Sequence, residues 1–121
     1  MARVQCSAAA DLDSWTNSDW TNGVQVEQLD PIETLFVHTR NSKYEIIVVE
    51  PHSAQILVRG GKFLPVYTPA TLAGASLGGS FLKVHGVYIG FRMELHVEDG
   101  ETLITTPVQS ISRAEQVAVA S

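Results

Sequence analysis

The sequence predicts an all-β, mainly antiparallel domain: a small closed or partly open β-barrel, with a two-sheet sandwich as the alternative. Three observations lead there. Short stretches rich in Val, Ile, Thr and aromatic residues recur along the chain, and Gly, Pro, Asn and Asp punctuate them. The stretch Val87 to Val97 carries a strict alternation at its end. Phe91, Met93, Leu95 and Val97 face one way there, and Arg92, Glu94 and His96 face the other. About seven or eight such segments with turns between them match the spacing of small barrels and sandwiches.

Residues 1–23 differ from the rest and read as a polar arm ahead of a single β domain over 24–121. The arm holds both tryptophans in a short echo, Ser14-Trp15-Thr16-Asn17 and Asp19-Trp20-Thr21-Asn22. Val24 and Val26 begin the β pattern. Asp30-Pro31-Ile32-Glu33 carries helix-start chemistry, with Pro at the first position and Glu at the third. The β-branched and aromatic run Thr34 to Thr39 limits it to one turn before a strand. In Tyr44 to Val49, apolar residues fall on both faces, which predicts a central strand covered twice. Glu50-Pro51-His52-Ser53 is a turn with Pro at its second position. Ala54 to Val58 returns as the partner strand, and Gly60-Gly61 ends the hairpin.

Lys62 to Ser80 reads as a long glycine- and proline-rich loop, with Pro65, Pro69, Gly74, Gly78 and Gly79. Long irregular segments within small domains often carry function, so this is the first candidate site. Phe81 to Val84 and Val87 to Val97 follow as strands, interrupted at Gly86 and Gly90. Asp99-Gly100 predicts a two-residue hairpin, which sets Leu95 opposite Ile104. Thr102 to Thr106 is the return strand, ended by Pro107. Ser112-Arg113-Ala114-Glu115 fits a capping box, so a short C-terminal helix is expected over Arg113 to Val119.

Composition narrows the function classes. The 121 residues are 45% hydrophobic and 17% charged, with 13 acidic against 8 basic residues and a net charge of −5. The basic residues stand singly, whereas nucleic acids and anionic membranes are bound through clusters, so neither partner is expected. Cys6 is the only cysteine, and no apolar leader follows Arg3, which makes a cytoplasmic setting the expectation. His38, His52, His85 and His96 lack metal-site spacings, so no metal and no cofactor are expected.

Gly74-Ala75-Ser76-Leu77-Gly78-Gly79-Ser80 has the glycine spacing of a P-loop. It lacks the phosphate-reaching lysine and leads into a strand rather than a helix, so nucleotide hydrolysis is excluded. Within it, Ser76-Leu77-Gly78-Gly79 resembles the Ser-x-x-Gly element of PilZ domains. The resemblance implies a small β-barrel that binds a cyclic dinucleotide through Ser76 and Gly79. It spans about six residues and departs from the family in two places. Gly74 stands where the family has Asp or Asn, and Arg40 alone represents the arginine-rich segment.

The reading that follows is a non-enzymatic binding or assembly module that pairs with itself, most simply as a homodimer. Scarce charge and a doubly apolar strand support it. The alternative is a sensor of a small anionic ligand or nucleotide, with Arg40, Arg59, Lys62, Ser76, Gly78 and Gly79 as ligand-binding candidates. An enzyme comes third, because no catalytic residues stand out.

Overall fold

The computed structural model describes residues 22–77, 81–97 and 100–114, and it is built of antiparallel strands. Gly23–Gln25 forms β1, followed by one 3-10 turn over Val26–Gln28. Next come β2 (Thr34–Thr39), β3 (Lys43–Glu50), β4 (Gln55–Gly60), β5 (Leu64–Ser76) and β6 (Leu82–Val84). The order ends with β7 (Gly86–Tyr88), β8 (Arg92–Val97) and β9 (Thr102–Arg113). Trp15 and Trp20 lie outside the described residues, while Gly23, expected to end the arm, opens β1.

The large sheet runs β4-β3-β2-β9-β8-β5-β6, and β4 also pairs with β5. That extra pairing returns the sheet on itself as a barrel-like ring, in place of two facing layers. Alternate residues point inward, as the pleat requires. Leu35 and Val37 of β2, Ile46 and Val48 of β3, Ile56 and Val58 of β4, and Met93 and Leu95 of β8 all join one buried cluster. The outer face has no second layer among the described residues. Ile47 is half-buried there and Val49 is 48% exposed, so among the described residues β3 is central in pairing and is covered on its inner face.

The strand directions put the β2–β3, β4–β5 and β8–β9 connections at one end of the ring. The opposite end is closed by β1, β7 and the 3-10 turn. β1 pairs with β7, with Val24 opposite Val87, and Val26, Leu29 and Val87 sink into the main core. Glu33 anchors the same end. It accepts from the Asp30 N–H at 3.1 Å and from Arg113 Nε at 2.6 Å, tying the turn before β2 to the end of β9.

Five expectations need correction. First, Lys62 to Ser80 is mostly strand, because β5 occupies Leu64–Ser76. Its prolines are tolerated through position. The Leu72 N–H donates to Ala54 O on the β4 side, so alternation turns the Pro69 nitrogen the other way, where no donor is needed. Gly74 (φ +150) forms a bulge where Leu72 opposes Leu95 and Gly74 opposes Glu94. A Cβ there would lie 2.2 Å from Lys83 O. Second, β9 runs through Pro107 as far as Arg113. Pro107 sits at a register shift, where the Met93 N–H donates to Thr105 Oγ1 at 3.0 Å.

Third, Ser112 and Arg113, placed at the start of a C-terminal helix, belong to β9, where they pair with Phe36 and Leu35. The remainder of that helix lies outside the described residues apart from Ala114, which is not helical. Fourth, the β8–β9 connection is longer by one residue than expected. Gly100 has φ +95 and donates to Val97 O, while the Val97 N–H donates to Glu101 O. Three residues therefore separate Val97 from Glu101, one more than a two-residue hairpin has. Leu95 consequently faces Leu103, and Ile104 is opposite Glu94 with half its surface in solvent. Fifth, the turn after β3 is one residue later than expected, closed by Ala54 N–H to Pro51 O.

Leu95 is fully buried and Ile104 is 50% exposed. Leu95→Ala should therefore lower unfolding free energy by about 2–5 kcal/mol. Ile104→Thr should stay within about 0.5 kcal/mol of the parent. Urea unfolding of both variants checks the register of this hairpin, since comparable losses would return Ile104 to the core.

Candidate ligand cleft at the open end of the ring

Two hairpin turns shape the open end. The first, after β2, is closed on Thr39: its N–H and hydroxyl donate to Ser42 O, and its Oγ1 accepts the Ser42 N–H at 3.1 Å. The Arg40 N–H donates to Pro107 O and the Asn41 N–H to Thr106 Oγ1, which straps this turn to β9. The second turn depends on Gly60 and Gly61. Gly60 has φ +143, and a Cβ there would fall 2.1 Å from Lys43 O. A Cβ on Gly61 would sit 2.8 Å from the Tyr44 hydroxyl oxygen, so the tyrosine side chain packs directly against the turn. Tyr44 and Gly60 are paired across β3 and β4, which keeps the two turns side by side.

Between these turns and the start of β9 lies a cleft of about 600 Å³, lined by Tyr44, Lys62, Phe63, Leu64, Leu103 and Thr106 among others. Its floor is continuous with the core. Leu64 is part of the buried cluster, and Tyr44 and Leu103 pack against it. Its rim is apolar and solvated, with Phe63 72% and Ile104 50% exposed. A smaller hollow of about 280 Å³ on the other side of Tyr44 is lined by His38, Lys43 and Arg59. The volume, the mixed lining and the position at the mouth of a closed sheet are those of small-molecule sites.

The sequence candidates divide between the two ends of β5. Arg40, Arg59 and Lys62 fall on the two adjacent turns and their flanks, and Lys43 joins them. Arg59 is engaged: its Nε donates to Glu45 Oε1 at 2.8 Å, and its guanidinium lies 4.4 Å from the Tyr67 ring centroid. Ser76 sits at the far end of β5, 1% exposed and paired with Leu82 and Arg92. It cannot act together with Lys62, and Gly78 and Gly79 lie outside the described residues. Sequence reasoning missed Tyr44, which reads as the first residue of a buried strand, and it missed Leu103 and Thr106. Gly60-Gly61 was the available signal, since a glycine pair beside a tyrosine position permits close packing.

Titratable groups also gather at the closed end, around the β1–β7 ribbon. Tyr88 donates to Gln25 Oε1 at 2.9 Å, and Gln25 Nε2 donates to Glu27 Oε1 and Val84 O. His85, at φ 61, places a buried Nδ1 3.4 Å from Glu27 Oε2, with no hydrogen-bond partner among the described residues. Their bonds join β1 to β6 and β7. Among the described residues no three His, Cys, Asp or Glu side chains gather to hold a metal ion, and no helix is long and apolar enough to cross a membrane. No family model, curated protein or solved structure matches this chain.

The carboxylates of the closed end give it a defined acid sensitivity. Burial works to raise the Glu27 pKa, but the Gln25 side chain, a backbone hydrogen bond and His85 outweigh it, leaving the value below the ordinary 4.5. Glu33 is lowered in the same way: burial is outweighed by the Asp30 N–H and Arg113. A carboxyl whose folded pKa is depressed contributes stability above its unfolded value, and that contribution disappears as pH falls through the folded value. Glu33→Gln should thus destabilise the protein at neutral pH, with the deficit closing as the pH is taken well below 4.5. Urea midpoints of parent and variant across that range provide the check; a deficit independent of pH would contradict it.

Proposed function

We propose that this chain is a non-enzymatic binding module that holds a small ligand in the cleft at the open end of the ring. The observation that carries the reading is the cleft itself, whose apolar floor extends from the core and whose lining adds one lysine, one tyrosine and several amide and hydroxyl groups. Such a site can bind and orient a molecule. The hydrogen-bonded group of Gln25, Glu27 and Tyr88 lies at the other end, committed to joining strands. The sensor alternative is thereby favoured in a changed form, with Lys62 and Tyr44 in the site and Ser76 outside it.

Amide chemical shifts in a screen of small organic molecules test the reading. Binders should move the amides of residues 41–44, 60–64 and 103–106, while Ser76 and Lys83 stay in place. Shifts confined to the closed end or to the outer face would contradict the proposal.

Self-assembly is the second reading, supported by the outer face of β3, β4 and β5. Ile47 opposes Leu57 and Leu57 opposes Pro69, making an apolar row, with Val49 48% exposed beside a groove of about 610 Å³. A symmetric pair would cover this face with its own counterpart. Light scattering behind a sizing column should then give the mass of two chains, reduced to one by Val49→Glu. A single-chain mass at all micromolar concentrations would end this reading.

A further inference from the structure

The two turns that frame the cleft carry charge opposite in sign to that of the whole protein, while Glu101 stands on the third connection at this end. The chain carries 13 acidic and 8 basic residues. Even so, Arg40, Lys43, Arg59 and Lys62 all lie on the two turns that frame the cleft or within a residue of them. Glu45 neutralises Arg59. Among the described residues, Arg40, Lys43 and Lys62 have no ion-pair partner, and the Tyr44 hydroxyl has no hydrogen-bond partner. Lys62 stands beside Phe63, its ammonium 5.9 Å from the ring centroid. The lining of the cleft includes this one cation and no carboxylate, while Phe63, Leu64, Leu103 and Ile104 supply apolar wall.

A cation ligand would meet Lys62 with no carboxylate in the lining to offset the repulsion. A wholly apolar ligand would strip water from the ammonium and from the Tyr44 hydroxyl without replacing its hydrogen bonds. Only a molecule with an apolar body and an anionic head satisfies both halves of the lining.

Resting on the cleft reading above, we propose that the site selects an amphipathic organic anion. Its apolar body lies on Leu64, Leu103 and Phe63, and its carboxylate, sulfonate or phosphate head meets the Lys62 ammonium and the Tyr44 hydroxyl. Lys43 and Arg40 add a longer-range attraction that salt screens. Tyr44 lines both the cleft and the hollow that Lys43 lines, so Lys43 stands next to the site and Lys62 is the cation within it.

Two fluorescent probes of nearly the same shape separate the possibilities: 8-anilinonaphthalene-1-sulfonate, which is an anion, and N-phenyl-1-naphthylamine, which lacks the sulfonate. The full chain should bind the sulfonate more tightly than the neutral probe. Lys62→Gln should weaken sulfonate binding by about fivefold, as for a partly solvated ion pair, and barely alter the neutral probe. Tyr44→Phe should lower sulfonate affinity further with an unchanged circular dichroism spectrum. Lys83→Gln, on β6 at the closed end, should leave both probes unaffected. Equal binding of the two probes, or sulfonate binding that survives Lys62→Gln, overturns the anion preference while the cleft reading stands. Binding of neither probe overturns the cleft reading, and the anion proposal falls with it.

Discussion

The structure depends on β5 joining β4 to β8. Its first half pairs with β4 and its second half with β8, and that double use converts an open seven-stranded sheet into a ring. A strand of thirteen residues cannot do this while staying regular, because sheet closure demands a local change of direction. Gly74 provides it. Its bulge carries β5 around the corner to β6, and its missing side chain lets Lys83 O pass where a Cβ would clash. Below the bulge the inward face changes register, and Ala75, Tyr88 and Phe91 form a second small buried cluster.

Once the ring is closed, its two ends acquire different fates. The chain entering at Gly23 and the β7 segment cap one end, burying Val26 and Val87 beside the ring's own core residues. No comparable segment crosses the other end among the described residues. The core reaches the surface there between two glycine- and threonine-built turns. The location of the candidate site is therefore a consequence of topology, and its chemistry is set by which side chains those turns carry.

Much of this was legible in the chain itself. The alternation Met93, Leu95, Val97 identified β8 and its inward face, and Thr34 to Thr39 matched β2 in both bounds. The misreadings share a physical origin. Pro65, Pro69 and Gly74 suggested a loop because proline and glycine usually interrupt strands, yet each is harmless where no donor is required or a bulge is needed. At Asp99-Gly100 the dipeptide announced a hairpin but not its length, and one extra residue exchanged Leu103 for Ile104 across the ladder. Of the basic residues, scattered singly along the sequence, Arg40, Arg59 and Lys62 were grouped as ligand candidates, and nothing in the chain added Lys43 or set Ser76 apart from them. Pairing of Tyr44 with Gly60 gathers these four basic residues, and that proximity is a property of strand register alone.

Pro69 has a further consequence for how copies of this chain can meet. On the β8 side, β5 has its described strand partners only from Ala70 downward, so its upper stretch is a sheet edge. Such edges invite another strand to add on, and repeated addition is how fibrils grow. Pro69 presents a ring carbon there instead of an N–H, removing a donor that an incoming strand would need. Addition of a further strand is thereby disfavoured at this edge.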